Sequence, residues 1–494
     1  MDFTDQHKAS KQLSRHMDRL KAVGSAETVN IRRLLSFINN MPTCKCISFI
    51  PTGSKAEGFD FDTSDTDIMW VLNMVIVIQE YQDIPDGNKT VFSMDNTDCR
   101  PGFTLLKLRH LYQYASTSIT HALQSIKNAL YISSKKILRH MLQPGDDLHG
   151  PCSRLTCQCS KHHETDRAFS FHCRSWPDGL SDFRSRTKYC IWPSQHLVNH
   201  IVQGGCHFVA IGDKHSDLFG MQWRISFAKA EKCLVTSFSH VQLKTYALLK
   251  IFLKEVIERD TIVKDLLCSY FMKTIVFHAI GHSESSLWVD ENLLHCFQLC
   301  FSMLLEFVQT GYCPNYFISA QNMFLSKVFG RNREKLLLVL GRHESMGLMC
   351  LNHCPSLARI FDCPAYDENT HLDRLHQDGI IFDLNRVSPC RNIYVVAKII
   401  NMVFSASTNE TFHDLARLYL VNALIETSKR AIGNLEHTLV RSNKVRYSQI
   451  KKHRRRLQIL STISVCRGQL ALATFYYNTG CYNKACDAAD QVAY

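Results

Sequence analysis

The chain has 494 residues, of which 45% are hydrophobic and 21% charged, an ordinary balance for a globular protein with room for two or three domains. Its 57 basic and 45 acidic side chains leave a net charge of +12, compatible with a polyanionic partner without requiring one. The start, Met1 to Lys11, has no apolar signal core, and the run Met69 to Ile78 contains Asn73 and is too short for a bilayer. The expectation is therefore a cytoplasmic protein with no membrane contact, and its 21 cysteines are expected to be free, buried thiols.

In chain order, residues 5–40 show apolar positions three and four apart (Leu13, Met17, Leu20; Ile31, Leu34, Leu35, Ile38), which predicts two helices broken at Gly24-Ser25. The stretch from Pro51 to Leu72 carries the densest signal. Gly53 and Ser54 leave backbone amides free to approach an anion. Asp65 and Asp67 stand two apart at the head of an apolar strand, so both project to one face. Carboxylates held side by side repel unless a cation lies between them, and hard oxygen ligands suit magnesium. A phosphate cradle followed by paired carboxylates on a strand is the layout of a nucleotidyltransferase.

Residues 79–98 read as polar, with a turn at Pro85-Asp86-Gly87. Phe103 to Tyr114 reads as a strand followed by a helix, and Ser118 to Leu142 as a second helix ending at Pro144-Gly145. Residues 146–165 read as a cysteine-rich loop. Its Cys152, Cys157, Cys159, His162 and His163 are metal-capable, but the Cys-x-Cys step is tighter than usual zinc spacing. Thr165 to Cys173 alternates as a strand opening on Asp166, a third carboxylate of the kind that two-metal phosphoryl chemistry uses. Farther on come Trp223-Arg224-Ile225-Ser226-Phe227, a helix over Tyr246 to Ile257 with Lys250 at the edge of its stripe, and a helix opening at Cys268-Ser269-Tyr270 that carries Lys273. Trp288 to Val308 reads as an apolar helix and Gly311 to Phe324 as a loop.

Residues 366–390 read as a polar linker, and the chain turns helical again from Tyr394. The basic run Lys451, Lys452, His453, Arg454, Arg455, Arg456 reads as a solvated helix face, a nuclear signal or a nucleic-acid contact. Leu472, Ala473, Tyr476, Gly480, Tyr482 and Ala485 keep the spacing of a tetratricopeptide repeat, a lone unit that offers a protein-docking surface.

Taken together and in this order, Pro51–Leu72, Thr165–Pro177, Gln222–Glu231, Lys250 and Cys268–Lys273 resemble the male-abnormal-twenty-one (Mab) family of cyclic GMP-AMP synthase-like nucleotidyltransferases, over about residues 10–350. The resemblance implies an α+β bilobal nucleotidyltransferase fold: a twisted sheet with helices over 1–240, a helical lobe over 241–350, and a helical, tetratricopeptide-like extension over 366–494. It also implies that Gly53 and Ser54 hold phosphate, that Asp65, Asp67 and Asp166 are the catalytic metal ligands for Mg²⁺ or Mn²⁺, and that Asp166 takes a proton from the attacking hydroxyl. Arg224 and Ser226 would touch a nucleobase, Lys250 and Ser269 would hold the triphosphate, and Tyr270 would stack on a base.

The implied function is an innate-immune sensor that joins ATP and GTP into a cyclic dinucleotide when double-stranded RNA or DNA activates it. A catalytically silent Mab scaffold for binding or development is the alternative. Two departures stand out: Asp65 replaces the glutamate of cyclic GMP-AMP synthase itself, and only Ser237 to Leu243 stand where the vertebrate enzyme carries a zinc-binding insertion that grips DNA.

Overall fold

The computed structural model describes residues 3–39, 46–62, 64–79, 87–142, 146–156, 164–357 and 450–493, except 452, 456, 459–460 and 462–464. The chain divides into two compact units, Met1–Ser36 with Asn40–Gln377 and Phe37–Asn39 with Asp378–Tyr494. The expected boundary at residue 240 falls inside the first unit. The expected linker at 366–390, the helical stretch from Tyr394 to residue 449, and Cys157, Cys159, His162 and His163 lie outside the described residues.

The first unit opens with α1 (Phe3–Arg19) and α2 (Ala26–Asn39), separated where Gly24 takes a φ of +82°. The stripe formed by Leu13 and Met17 is fully buried, as its helical spacing requires. Next come β1 (Ile47–Thr52), the single turn α3 (Gly53–Ala56), β2 (Thr66–Ile78), β3 (Thr90–Asp95) and β4 (Phe103–His110). They are followed by α4 (Thr117–Ala122), β5 (Leu123–Ile126), β6 (Ala129–Ile132), α5 (Ser134–Met141), β7 (Asp147–His149), β8 (Cys152–Thr156) and β9 (Glu164–Cys173). α6 (Phe183–Arg186), α7 (Gln195–Gln203), β10 (Cys206–Val209) and β11 (Trp223–Ser226) complete the sheet region.

β2 and β9 run parallel side by side, and the two together position the site. β2 is 13 residues long, enough to take β1 and then β3 along its other edge. β9 likewise takes β8 and then β10. The hydrogen-bonded path β2-β3-β4-β11-β10-β9 thus returns to β2, with aromatic side chains inside. Phe171 stacks on Trp223 with ring centroids 4.7 Å apart and on Phe92 at 6.0 Å, and the Trp223 indole donates to the Ile132 carbonyl at 2.9 Å.

Three sequence expectations are corrected here. Ser118–Leu142 is not one helix: Lys127 and Asn128 both take positive φ, turning β5 back onto β6, and β6 pairs with β4. The polar stretch 79–98 contains β3, whose Thr90 to Met94 are all buried. Much of the 146–165 loop is instead the β7–β8 hairpin, which puts Cys152 and Arg154 on a strand.

The helices of this unit continue with α8 (Ala228–Thr236), α9 (His240–Glu255), α10 (Ser269–Gly281), α11 (Leu293–Thr310) and α12 (Gly330–Ser345). Only residues 237–239 join α8 to α9, and Ser239 starts α9 with a reciprocal capping box to Gln242. α9 is buried on every side from Val241 to Leu253, so Lys250 lies in the interior and not at the edge of a stripe. Asp290–Thr310 is long and apolar enough by composition to cross a bilayer, which Met69–Ile78 is not. Here its Leu293, Phe297, Cys300, Leu304 and Val308 belong to the main core.

The second unit ends in a helical hairpin, α13 (Val465–Asn478) and α14 (Tyr482–Ala493), turning at Gly480 with φ +78°. Leu472, Ala473, Tyr476 and Ala485 pack together as the repeat-like spacing requires, while Tyr482 is exposed. Lys451, His453, Arg454 and Arg455 are helical. The described cysteines are all free, but Cys46, Cys268, Cys481 and Cys486 are exposed, not buried.

Candidate active site

The cradle follows from strand register. β1 pairs antiparallel with β2 so that Thr52 lies opposite Asp67, and the chain turns into α3 at the next residue. Gly53 has a φ of +71°, and a Cβ there would lie 1.9 Å from Asp67 Oδ2. Only glycine allows both that backbone conformation and that approach. The first amides of α3 have no intrahelical acceptor, as at any helix start.

Gly53, Ser54, Asp65, Asp67, Lys250, Ser269 and Tyr270 line one cavity of about 270 Å³, together with Glu57, Phe61, Tyr246, Lys254 and Lys273. The Lys250 ammonium donates to Ser54 Oγ and sits over three rings, 4.9 Å from Phe61, 5.2 Å from Phe59 and 5.4 Å from Tyr246. Burial lowers its pKa to about 8, against the opposing pull of Glu57. Lys273 is held differently, with Nζ 2.6 Å from Glu57 and 3.1 Å from Glu231. Burial alone would discharge it, but the two carboxylates outweigh that and hold it well above the ordinary lysine value.

The carboxylates meet where β2 and β9 run together. Asp67 pairs in register with Asp166, and Asp65 stands just before β2. Burial, then the charges of Asp166 and Asp65, push the Asp67 pKa up to about 6. Arg154 lies across from Asp166 in the β8–β9 register. Its Nε is 3.1 Å from Asp166 and its terminal nitrogen 3.1 Å from Asp65. In charge and in donor chemistry the three carboxylates suit a hard divalent cation. Among the described residues, however, no three of His, Cys, Asp or Glu converge closely enough to hold an ion as they stand.

On the side where a base would lie, Tyr270 is held by Asn315, whose Nδ2 lies 3.3 Å from the phenolic oxygen. Arg224 does not line this cavity. It lines a neighbouring one of about 240 Å³ with Arg100, Phe103, Asp213 and Gln321. Ser226 lines neither, and its hydroxyl accepts the Ala228 amide at 3.4 Å at the head of α8. Sequence reasoning assigned no role to Glu57, Glu231, Lys273 or Arg154. Glu57, three residues after Ser54 on the same turn, was the one with a readable signal, because a carboxylate beside a phosphate cradle needs a cation.

The sheet, the adjoining helices and the cleft residues together define an α+β nucleotidyltransferase fold. Residues 242–338 match the Mab-21 protein HhH/H2TH-like domain. The chain is 28% identical over 130 residues to the cyclic GMP-AMP synthase of Mus musculus, covering 24% of this chain and 26% of that protein. It is 27% identical over 132 residues to that of Sus scrofa, covering 23% and 26%. The matched stretch thus spans about a quarter of each relative. The chain is thus similar to the Mab-21 domain over residues 242–338 and to cyclic GMP-AMP synthases over about a quarter of its length, the likeness that the order of its motifs implied.

Proposed function

We propose that the protein is a metal-dependent nucleotidyltransferase that joins nucleoside triphosphates, ATP and GTP among them, into a cyclic dinucleotide signal of innate immunity in the cytoplasm. The observation that carries the reading is the gathering of Gly53, Ser54, Asp65, Asp67, Lys250, Ser269 and Tyr270 around one cavity from four separate stretches of chain. Ser54, Lys250 and Ser269 hold the triphosphate, a point charge and hydroxyls against phosphate oxygens. Tyr270, already fixed by Asn315, offers a ring face to a base, and Arg224 reads the second base from the neighbouring cavity. Asp65, Asp67 and Asp166 would hold Mg²⁺ or Mn²⁺, which supplies charge neutralisation for the hydroxyl attack and for the departing pyrophosphate. Asp166 accepts the proton of the attacking ribose hydroxyl, and the closed aromatic wall of Phe59, Phe61 and Tyr246 limits water behind Lys250.

Double-stranded RNA or DNA is the proposed activator, consistent with the net charge of +12. The three-residue α8–α9 junction leaves no room for a zinc-binding insertion there, which puts RNA on an equal footing with DNA. The α13–α14 hairpin is the proposed protein-docking element.

A second reading has its own support. Arg154 bridging Asp65 and Asp166 is the arrangement expected of a silent scaffold whose carboxylates serve structure. One experiment separates them: incubation of the pure protein with ATP, GTP, Mg²⁺ or Mn²⁺ and varied duplexes, with products resolved by mass. A cyclic dinucleotide supports the enzyme. Unchanged triphosphates under every activator and metal favour the scaffold.

A further inference from the structure

The sheet holds two arginines near its β8–β9 edge in contrasting ways. Arg167 is 6% exposed, reaches both oxygens of the fully buried Asp146 at 2.6 Å, and lies 5.4 Å from the Trp70 ring centre. Its fork and its face are both committed within the interior. Arg154 is 24% exposed and bonds carboxylates from different elements, Asp65 ahead of β2 and Asp166 on β9. Its guanidinium lies between the groups that chemistry would give to a dication, and the antiparallel pairing of Arg154 with Asp166 puts it there by register. A rotation toward solvent would break two partly exposed ion pairs.

We propose that Arg154 is an internal counter-ion that holds the carboxylate site closed and must withdraw before a divalent cation binds to Asp65 and Asp166. This inference rests on the metal reading given above. The exchange improves the charge balance: a single positive charge beside Asp65 and Asp166 would give way to a double one.

The test uses the full chain as wild type, Arg154→Gln and Arg154→Lys, with Mn²⁺ as the probe, titrated calorimetrically and followed by thermal unfolding. A guanidinium beside a carboxylate stabilises its charged form by one to three pKa units, so its removal should tighten Mn²⁺ binding about tenfold or more. Arg154→Gln should melt lower than wild type without cation, and Mn²⁺ should raise its Tm by more. Arg154→Lys, which keeps the charge but loses the fork, should fall between. Should Arg154→Gln fail to fold, the Arg154→Lys affinity decides alone.

Equal or weaker Mn²⁺ binding in the variants, with wild type binding normally, overturns the proposal and makes Arg154 a residue that positions the carboxylates. Absence of Mn²⁺ binding in every protein overturns this proposal and the metal reading together.

Discussion

The two banks of the cleft hold their charges in opposite ways. On the helical bank Lys273 is matched by Glu57 and Glu231, one charge against two, and is buried in the join. Lys250, on the neighbouring helix, has among the described residues a hydroxyl and three ring faces around its ammonium. On the strand bank the guanidinium of Arg154 bonds Asp65 and Asp166, with Asp67 beside Asp166 in register. A buried cation held between two carboxylates fixes architecture, whereas undermatched charge on both banks marks the groups that wait for a ligand. A triphosphate with a dication supplies what each bank lacks, negative charge for Lys250 and positive charge for the carboxylates.

The largest effect should come from emptying the strand bank. Asp65→Asn with Asp67→Asn removes two charges at nearly constant size. If a metal supplies several kcal/mol of transition-state stabilisation, product formation should fall at least about a thousandfold. Circular dichroism should show the fold retained, because like charges that repelled are gone. A double variant that turns over at the wild-type rate removes the metal assignment.

Breaking the matched side should cost stability instead. Lys273→Met strands Glu57 and Glu231 in the interior, and denaturant unfolding should show a loss of about 3–5 kcal/mol. Adding Glu57→Gln to that variant should recover part of the loss. A near-neutral Lys273→Met would mean that the two banks do not differ as described.

Gly53→Ala tests the join between cradle and carboxylates. The left-handed backbone alone costs about 1–2 kcal/mol. The new methyl also meets Asp67 at 1.9 Å, so nucleotide affinity should drop along with stability.

The smallest effect is a pH dependence of Lys250. With its pKa lowered to about 8, the ammonium is lost as pH rises from 7 to 9, and triphosphate affinity should fall several-fold over that span. Stability should move the other way. Between about 8 and the ordinary lysine value the unfolded chain holds a proton that the folded chain lacks, so this group's contribution rises with pH. Triphosphate binding at pH 8 should take up protons, measurable by calorimetry in buffers of different ionisation heat, and Lys250→Met should abolish the uptake.

How much of this was legible in the sequence follows from how local each signal is. Gly53-Ser54 and Asp65-x-Asp67 sit within one turn and one strand, so period and spacing revealed them. From its own strand Asp166 reads as a strand-opening aspartate, and only the family resemblance joined it to Asp65 and Asp67, because its neighbour across the sheet is about a hundred residues away and register is not written locally. Lys250 was legible as a cation but not as a buried one: an amphipathic stripe was visible where α9 in fact packs on every side. The β5–β6 hairpin was misread as helix because its Lys127-Asn128 turn lacks the glycine that usually signals one. Arg154 left no trace, since a single arginine after a Cys-Ser step carries no period and acquires meaning only opposite Asp166.

The most direct test of the central claim, that cradle and carboxylates form one site for metal and triphosphate, is calorimetric binding of a non-hydrolysable GTP analogue with Mg²⁺ and then with EDTA. The account predicts at least tenfold tighter binding with Mg²⁺, a gain of about 1.4 kcal/mol or more, lost in Asp65→Asn with Asp67→Asn. Equal affinity in Mg²⁺ and EDTA would contradict it.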